Sequence, residues 1–191
     1  SSLVRRPFST DEYIPTVPKF ISSEEKEIVS NERGTAYHRV MECLNYSKAG
    51  STEDIKNEID RMVREEKLSL KQAECIKLKD IDTFAGSSIG ERIKRAYAYG
   101  GVKREQPFVF EYDRQLVQGV IDLYFIEDGQ LVIVDYKTDR VLRGRAGEDE
   151  LRRRYSIQLD YYAMALSQIT GLKVKEKVIY SFALGRSLTV E

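Results

Sequence analysis

The sequence predicts an α/β fold, in which a mixed β-sheet is flanked by helices, with the core element order α-β-β-β-α-β and a further helical part on the N-terminal side. Apolar residues recur at helical spacing until Gly100-Gly101, where the pattern changes. Three strand-like runs joined by short turns follow between residues 102 and 138. A long helical pattern over 148–170 and a last strand-like run over 173–184 complete the order.

Residues 1–22 differ from the rest of the chain. They hold three of the four prolines and show no clear periodicity, which predicts an extended arm or a linker. Residues 23–191 are then expected to form one domain, a length that allows a sizeable core.

The helical part divides into four predicted helices. Residues 23–33 are polar and predict a short helix or turn before a first helix over 34–44. A second helix starts near Thr52, a capping box at Ser69 opens the third, and the fourth starts at Gly86.

A β-hairpin is predicted over residues 115–138, with its turn at Asp128-Gly129. Asp-Gly between apolar runs is a strong hairpin signal, because a type I′ turn needs positive φ at both central residues. Counting outward from a two-residue turn places Asp122 directly opposite Asp135. Since strand side chains alternate between faces, Lys137 shares the face of Asp135 and Tyr136 points away.

Two carboxylates facing each other repel, because directly opposed side chains lie roughly 5 Å apart at Cβ. The sequence therefore predicts a divalent cation between Asp122 and Asp135, and carboxylate oxygens suit Mg²⁺ or Mn²⁺. Hydrolysis of a phosphodiester needs such a metal, an activated water and a positive charge, which Lys137 can provide. The alternative is that Asp135 and Lys137 form only an ion pair at the edge of the sheet.

Composition limits the possible functions. Lys plus Arg and Asp plus Glu both number 31, so any nucleic-acid surface must be a local patch. Cys43, Cys75 and a single histidine are too few for a structural zinc site, which favours reduced thiols in a cytoplasmic protein. The sequence shows neither a membrane-length apolar run nor a signal-peptide pattern, and no membrane association is expected. It also lacks the G-x-x-x-x-G-K-[ST] phosphate loop of an ATP motor.

Other candidate residues have more than one interpretation. A lone helical histidine such as His38 is more often a surface or core residue than a ligand, and Gln158 and Tyr162 are by themselves typical of a core edge. A group of arginines after the hairpin can bind DNA phosphates or pair with Glu148, Asp149 and Glu150. This group consists of Arg140, Arg143, Arg145, Arg152, Arg153 and Arg154.

Five motifs in sequence favour the functional interpretation. They are Gly34-x-x-x-His38, Glu105-x-Pro-Phe, Gly119-x-x-Asp122, Asp135-Tyr-Lys-Thr138 and Gln158-Leu-x-x-Tyr162. Together, over about residues 30–185, they resemble the RecB-type nuclease domain of the PD-(D/E)xK superfamily. The spacing is most similar to the C-terminal nuclease domain of AddA-type helicase–nuclease subunits.

The resemblance implies a restriction-endonuclease-like fold and a set of site residues. The implied metal ligands are His38, Asp122, Asp135 and the backbone carbonyl of Tyr136. Lys137 would be the catalytic lysine. Three further residues would support the site or contact the DNA: Glu105, Gln158 and Tyr162.

Two departures from the family pattern are present. Some relatives, including AddB-type subunits, hold an iron–sulfur cluster with four cysteines, and two cysteines cannot do so, so no cluster is expected. The proline before the first aspartate is absent, because Val120-Ile121 precedes Asp122. The metal expected is Mg²⁺, with Mn²⁺ as a substitute, and no other cofactor is expected.

The expected function is a Mg²⁺-dependent exonuclease acting on single-stranded DNA ends. It would be the nuclease part of an ATP-dependent helicase–nuclease for double-strand-break repair and recombination, with an AddB-type partner. One alternative is a nuclease fold kept as a DNA-binding or assembly module without turnover. The other is a stand-alone phage-type recombination exonuclease, which a toroidal oligomer would favour.

Overall fold

The computed structural model of this chain describes residues 24–191, and the predicted arm at residues 1–22 lies outside them. The described helices are α1 Glu24–Cys43, α2 Thr52–Arg64, α3 Leu70–Glu74, α4 Leu78–Ala85, α5 Ser88–Ala98 and α6 Arg145–Thr170, with a 3₁₀ turn at Tyr46–Lys48. The strands are β1 Val102–Tyr112, β2 Gln115–Glu127, β3 Gln130–Lys137, β4 Val174–Ser181 and β5 Arg186–Val190. None of the described helices is both long and apolar enough to cross a membrane.

The strands form one mixed sheet in chain order, β1-β2-β3-β4-β5. Neighbours run antiparallel except for β3 and β4, which are parallel. The parallel pair is joined by α6, as expected, since a parallel connection needs a crossover element. Pro107, which lacks an N–H, lies in the edge strand β1, where a proline is tolerated.

Helices cover both faces of the sheet. One core cluster packs α1, α2, α4 and α5 against the sheet around Tyr37, Phe84 and Tyr136. The other packs α6 against the opposite face around Leu159 and Ile133. The α/β layer prediction is confirmed, and Tyr136 and Ile133 on opposite faces show the alternation along β3.

The predicted hairpin is confirmed in turn and register. Asp128 and Gly129 have φ values of 51° and 73°, as a type I′ turn requires. The pairing runs from Glu127↔Gln130 to Leu123↔Val134. Continuing the same register would place Asp122 opposite Asp135, and at this end of the pairing the Tyr136 N–H donates to Asp122 Oδ2.

Two helix predictions differ from the structure. The predicted start of a helix at residue 34 is wrong, because α1 is continuous through Gly34. A Cβ at Gly34 would lie 3.3 Å from Thr138 Oγ1, so this glycine allows α1 to approach the end of β3. The helix predicted from Ser69 is two helices, since α3 ends after five residues and α4 begins separately.

The end of the chain was also predicted incompletely. The strand predicted over 173–184 ends at Ser181, and the chain reverses through Gly185 at φ 65° into β5. Five residues with two buried apolar side chains, Leu188 and Val190, give too short an alternating pattern to identify from sequence.

Candidate active site

Asp122 and Asp135 are buried carboxylates at the end of the β2–β3 pairing, with 8% and 1% of their surface exposed. The backbone N–H of Tyr136 donates to Asp122 Oδ2 at 2.8 Å, which fixes that carboxylate. Asp135 Oδ2 lies 2.7 Å from Lys137 Nζ. Neither oxygen of Asp135 receives a well-aligned hydrogen bond from the described residues, so this buried carboxylate retains unused acceptor capacity.

His38 reaches these strands from α1, which approaches β3 closely at Gly34. Its Nδ1 lies 3.2 Å from Asp122 Oδ1. The sequence offered two interpretations of this histidine, and the structure places it beside the predicted carboxylates.

Glu105 completes a compact group with His38 and Asp122. Its φ of 46° interrupts the pairing of β1 with β2 between Arg104↔Leu123 and Gln106↔Ile121, at the position across from Asp122. His38, Glu105 and Asp122 each offer one ligand atom, and these atoms lie within 4.8 Å of one another. Glu105 was predicted as a supporting residue, and the structure brings it into the same group as the predicted ligands His38 and Asp122.

The electrostatics of the pair are asymmetric. Burial, with a contribution from Asp122, raises the pKa of Asp135 to about 6 even though Lys137 opposes the shift. Burial also disfavours the charged form of Asp122, but His38 and the other hydrogen-bonding and charged neighbours outweigh it and lower its pKa. Burial disfavours the His38 cation, yet Asp122 raises the pKa of His38 overall. The raised pKa of Asp135 reflects burial close to a second carboxylate, and that of His38 reflects the negative charge of Asp122, whereas the lowered pKa of Asp122 reflects His38 and Lys137 beside it.

The residues present fit a hard divalent cation. Carboxylate oxygens and an imidazole nitrogen are suitable ligands for Mg²⁺ or Mn²⁺. Two ligands at adjacent positions of an octahedron with bonds of about 2.1 Å lie about 3 Å apart, close to the His38–Asp122 separation. Ligation by Asp135 and by the carbonyl of Tyr136 stays a prediction.

Lys137 lies in a polar and aromatic enclosure built by α6. In addition to its contact with Asp135, the Nζ of Lys137 lies 3.5 Å from Gln158 Oε1 and 4.3 Å from the ring centroid of Tyr155. Burial disfavours the ammonium form, but Asp135 and Asp122 raise the pKa of Lys137 well above its usual value, so the amine is protonated.

Gln158 contacts Lys137 and Tyr162 contacts Gln158, while their roles in the site or in DNA binding stay predictions. The Gln158 amide donates to the Tyr162 hydroxyl, and burial followed by Asp135 and Asp122 raises the pKa of Tyr162. Tyr155 was not predicted as a site residue. Its position three residues before Gln158 on the same helical face was the available signal.

Gly119 supports this enclosure from β2. A Cβ there would lie 3.0 Å from the ring of Phe108, whose centroid is 5.6 Å from that of Tyr162 in an edge-on contact. The glycine of the third motif therefore makes room for the aromatic ring that packs against Tyr162.

The arginines after β3 divide into two groups. Arg152 and Arg154 contact acidic side chains, namely Glu148, Asp149, Glu150 and Asp139. Arg145 is largely exposed and lies 3.7 Å from Asp149. Arg140, Arg143 and Arg153 are exposed and, within the described part of the chain, make no ion pair. DNA binding by Arg140, Arg143 and Arg145 stays a prediction.

The fold and the motifs define a class of protein. Residues 12–188 match the PD-(D/E)XK nuclease superfamily, and the chain belongs to this superfamily. The resemblance inferred from the five motifs is confirmed, and the mixed sheet with flanking helices is its restriction-endonuclease-like fold.

Among named relatives, the chain is similar to AddA-type ATP-dependent helicase/nuclease subunits from several bacteria. It is 34% identical over 193 residues to that of Clostridium novyi, covering 92% of this chain and 15% of the relative. It is 32% identical over 222 residues to that of Lachnoclostridium phytofermentans, and the match covers 93% of this chain and 16% of the relative. A solved structure of a Eubacterium rectale protein matches 91% of this chain and 62% of the Eubacterium rectale chain, with 16% sequence identity and a TM-score of 0.46. The chain thus spans about a sixth of the length of these curated relatives.

Proposed function

We propose that this domain is a Mg²⁺- or Mn²⁺-dependent deoxyribonuclease that degrades single-stranded DNA from an end. The observation that carries the proposal is the buried pair Asp122 and Asp135 with Lys137 Nζ at 2.7 Å from Asp135. A buried carboxylate with unused acceptor capacity is costly unless a ligand occupies it. A cation bound to Asp135 would explain why the chain tolerates the free-energy cost of burying this carboxylate.

The proposed mechanism assigns a role to each side chain. His38, Asp122, Asp135 and the carbonyl of Tyr136 would hold the metal, with Glu105 beside them, and the metal supplies Lewis-acid polarisation of the phosphate and a more acidic water. Lys137, kept protonated by Asp135, would orient the attacking water and neutralise charge on the phosphoryl oxygens. Asp122 can present a fixed oxygen because the Tyr136 N–H holds its other one.

The biological setting is part of the proposal. The relatives are named as subunits of an ATP-dependent helicase/nuclease. We infer that this domain acts on DNA ends supplied by a helicase in a longer protein, together with an AddB-type partner, in double-strand-break repair and recombination in the cytoplasm. Arg140, Arg143 and Arg145 would guide the strand by its phosphates.

The test is cleavage of end-labelled single-stranded DNA with Mg²⁺ or Mn²⁺. We expect degradation by the wild type and at least about a hundredfold lower rate for Asp135→Asn or Lys137→Met, because metal and charge stabilisation each contribute several kcal/mol. Asp113→Asn, an exposed turn residue that tolerates asparagine at φ 49°, is the matched control.

Two outcomes would contradict the proposal. Equal cleavage by Asp135→Asn and wild type, both shown to be folded by circular dichroism, would exclude the site assignment. A wild type that neither cleaves DNA nor binds a divalent ion in calorimetry would favour a module without turnover.

A further inference from the structure

Tyr155 contacts both Lys137 and the chain segment that follows Lys137. Its ring centroid lies 4.3 Å from Lys137 Nζ. Its hydroxyl donates to Asp139 Oδ1 at 2.8 Å, and Asp139 is two residues beyond Lys137. The two ends of one side chain therefore contact different parts of the site.

The ring limits where the ammonium of Lys137 can lie. Lysine ends in a flexible stem with a freely rotating ammonium, so a single ion pair leaves its direction poorly fixed. Three groups surround the ammonium of Lys137. They are Asp135 Oδ2 at 2.7 Å, Gln158 Oε1 at 3.5 Å and the ring of Tyr155. An aromatic face attracts a cation most strongly when water is excluded, and the side chain of Lys137 is only 13% exposed.

The hydroxyl acts on the loop that follows β3. Asp139 accepts from Tyr155 and also from Arg154 Nη1 at 2.9 Å, so two residues of α6 fasten it. The exposed Arg140 follows directly, and Arg143 lies three residues further on. Fixing Asp139 therefore fixes the start of the segment that carries these arginines.

We propose that Tyr155 is a positioning residue with two separable roles in the nuclease reaction. Its ring directs the Lys137 ammonium, and its hydroxyl, through Asp139, orders the loop that binds the DNA phosphates with Arg140 and Arg143. This inference rests on the proposed nuclease function.

Steady-state kinetics on single-stranded DNA separate the two roles. Tyr155→Phe keeps the ring and loses the hydroxyl, so we expect KM to rise about fivefold with a smaller change in kcat. Asp139→Ala should raise KM in the same way. Tyr155→Leu loses both groups, and we expect kcat to fall about tenfold as well.

Tyr161→Leu is the matched control for loss of a ring from α6. Tyr161 packs on Phe110 and Tyr112 instead of on Lys137, so its variant should keep the wild-type kcat. A Tyr155→Leu variant with wild-type kcat, or a Tyr155→Phe variant that loses as much kcat as Tyr155→Leu, would overturn the inference.

A second measurement needs neither metal nor turnover. In protein carrying ¹³C-lysine, ring current should shift the Lys137 Hε signal upfield of those of exposed lysines, and Lys137→Arg identifies it. We expect Tyr155→Phe and Tyr161→Leu to keep the shift and Tyr155→Leu to abolish it, with other lysine signals unchanged. A Lys137 signal that is unaffected by Tyr155→Leu overturns the ring's role.

The two measurements distinguish the failure of this inference from that of the proposed function. If the wild type cleaves no DNA, the nuclease proposal fails and the catalytic roles of Tyr155 fail with it, whatever the spectrum shows. If the wild type cleaves DNA and Tyr155→Leu changes neither kcat nor the Lys137 signal, only the inference about Tyr155 fails.

Discussion

At the scale of single residues, Glu105 is the ligand candidate that the sequence placed only near the site. Its position depends on a left-handed backbone conformation at φ 46°, which is rare for a residue with a side chain and is not encoded in any turn signal around it. The opposed aspartates were predictable because an Asp-Gly turn sets the register. Tyr155 was not assigned, because its place three residues before Gln158 indicates a shared helical face but not its distance from Lys137, which depends on how α6 packs against β3.

Glu105→Gln tests whether this side chain helps to bind the metal. Its ligand atom lies within 4.8 Å of those of His38 and Asp122, so we expect affinity for Mn²⁺ to fall at least about tenfold, as is typical for groups in or next to a metal's ligand set. Isothermal titration calorimetry measures it directly. Glu111→Gln, an exposed residue of the same strand, should bind Mn²⁺ like the wild type, and equal affinity in both variants would remove Glu105 from the set.

At the scale of elements, an ion-pair network fastens α5 to the hairpin and β4. Arg92 contacts Glu127 at 2.9 Å and Glu176 at 2.7 Å, and Lys175 contacts Glu127 at 2.7 Å. Hydrogen bonding to Arg92, followed by that to Lys175, lowers the pKa of Glu127 to about 2. The network therefore joins elements from the helical layer and from two strands.

Acid should weaken this junction in a defined window. A carboxyl whose pKa is lower in the folded state stabilises the fold above its unfolded pKa, about 4.3, and loses this contribution as pH falls through about 2. Since Glu127 is partly exposed, we expect Glu127→Gln to cost about 1–2 kcal/mol of unfolding free energy at pH 6.

Urea unfolding at pH 6 and at pH 2.5 measures this dependence. The difference between wild type and Glu127→Gln should shrink markedly at the lower pH. A difference that stays constant would mean that Glu127 contributes through packing instead of charge. Asp113→Asn, in an exposed turn, should show little difference at either pH.

Element boundaries show which signals a sequence carries. Helix starts with a side-chain cap were predictable, since Ser51, Ser69 and Ser87 each accept a backbone N–H of the first turn. The continuity of α1 through Gly34 was not, because the contact that explains this glycine comes from Thr138, more than 100 residues away. Local patterns therefore identify caps and turns, whereas a glycine that allows two distant segments to approach each other is recognised only from the tertiary structure.

At the scale of the whole molecule, the site joins the sheet to the helices on both of its faces. His38 comes from α1 in the helical layer, Asp122 and Asp135 come from central strands, and α6 closes the other side. Most of this arrangement followed from the order of motifs, because each motif lies on a separate predicted element. What the order could not supply was the distance between the elements, which depends on packing over the whole core.

A metal bound at this junction should stabilise the entire fold, because it would link α1 to the sheet. A ligand that binds only the folded state adds RT ln(1 + [L]/Kd), about 2.7 kcal/mol at a hundredfold excess over Kd. For a domain of this size, we expect Mn²⁺ to raise Tm by several degrees, and EDTA to reverse it. Asp122→Asn should lose most of the increase, because Asp122 lies beside His38 and forms one group of candidate ligands with His38 and Glu105. Asp113→Asn should retain it, and an equal rise in Tm for both variants would place the ion elsewhere on the protein.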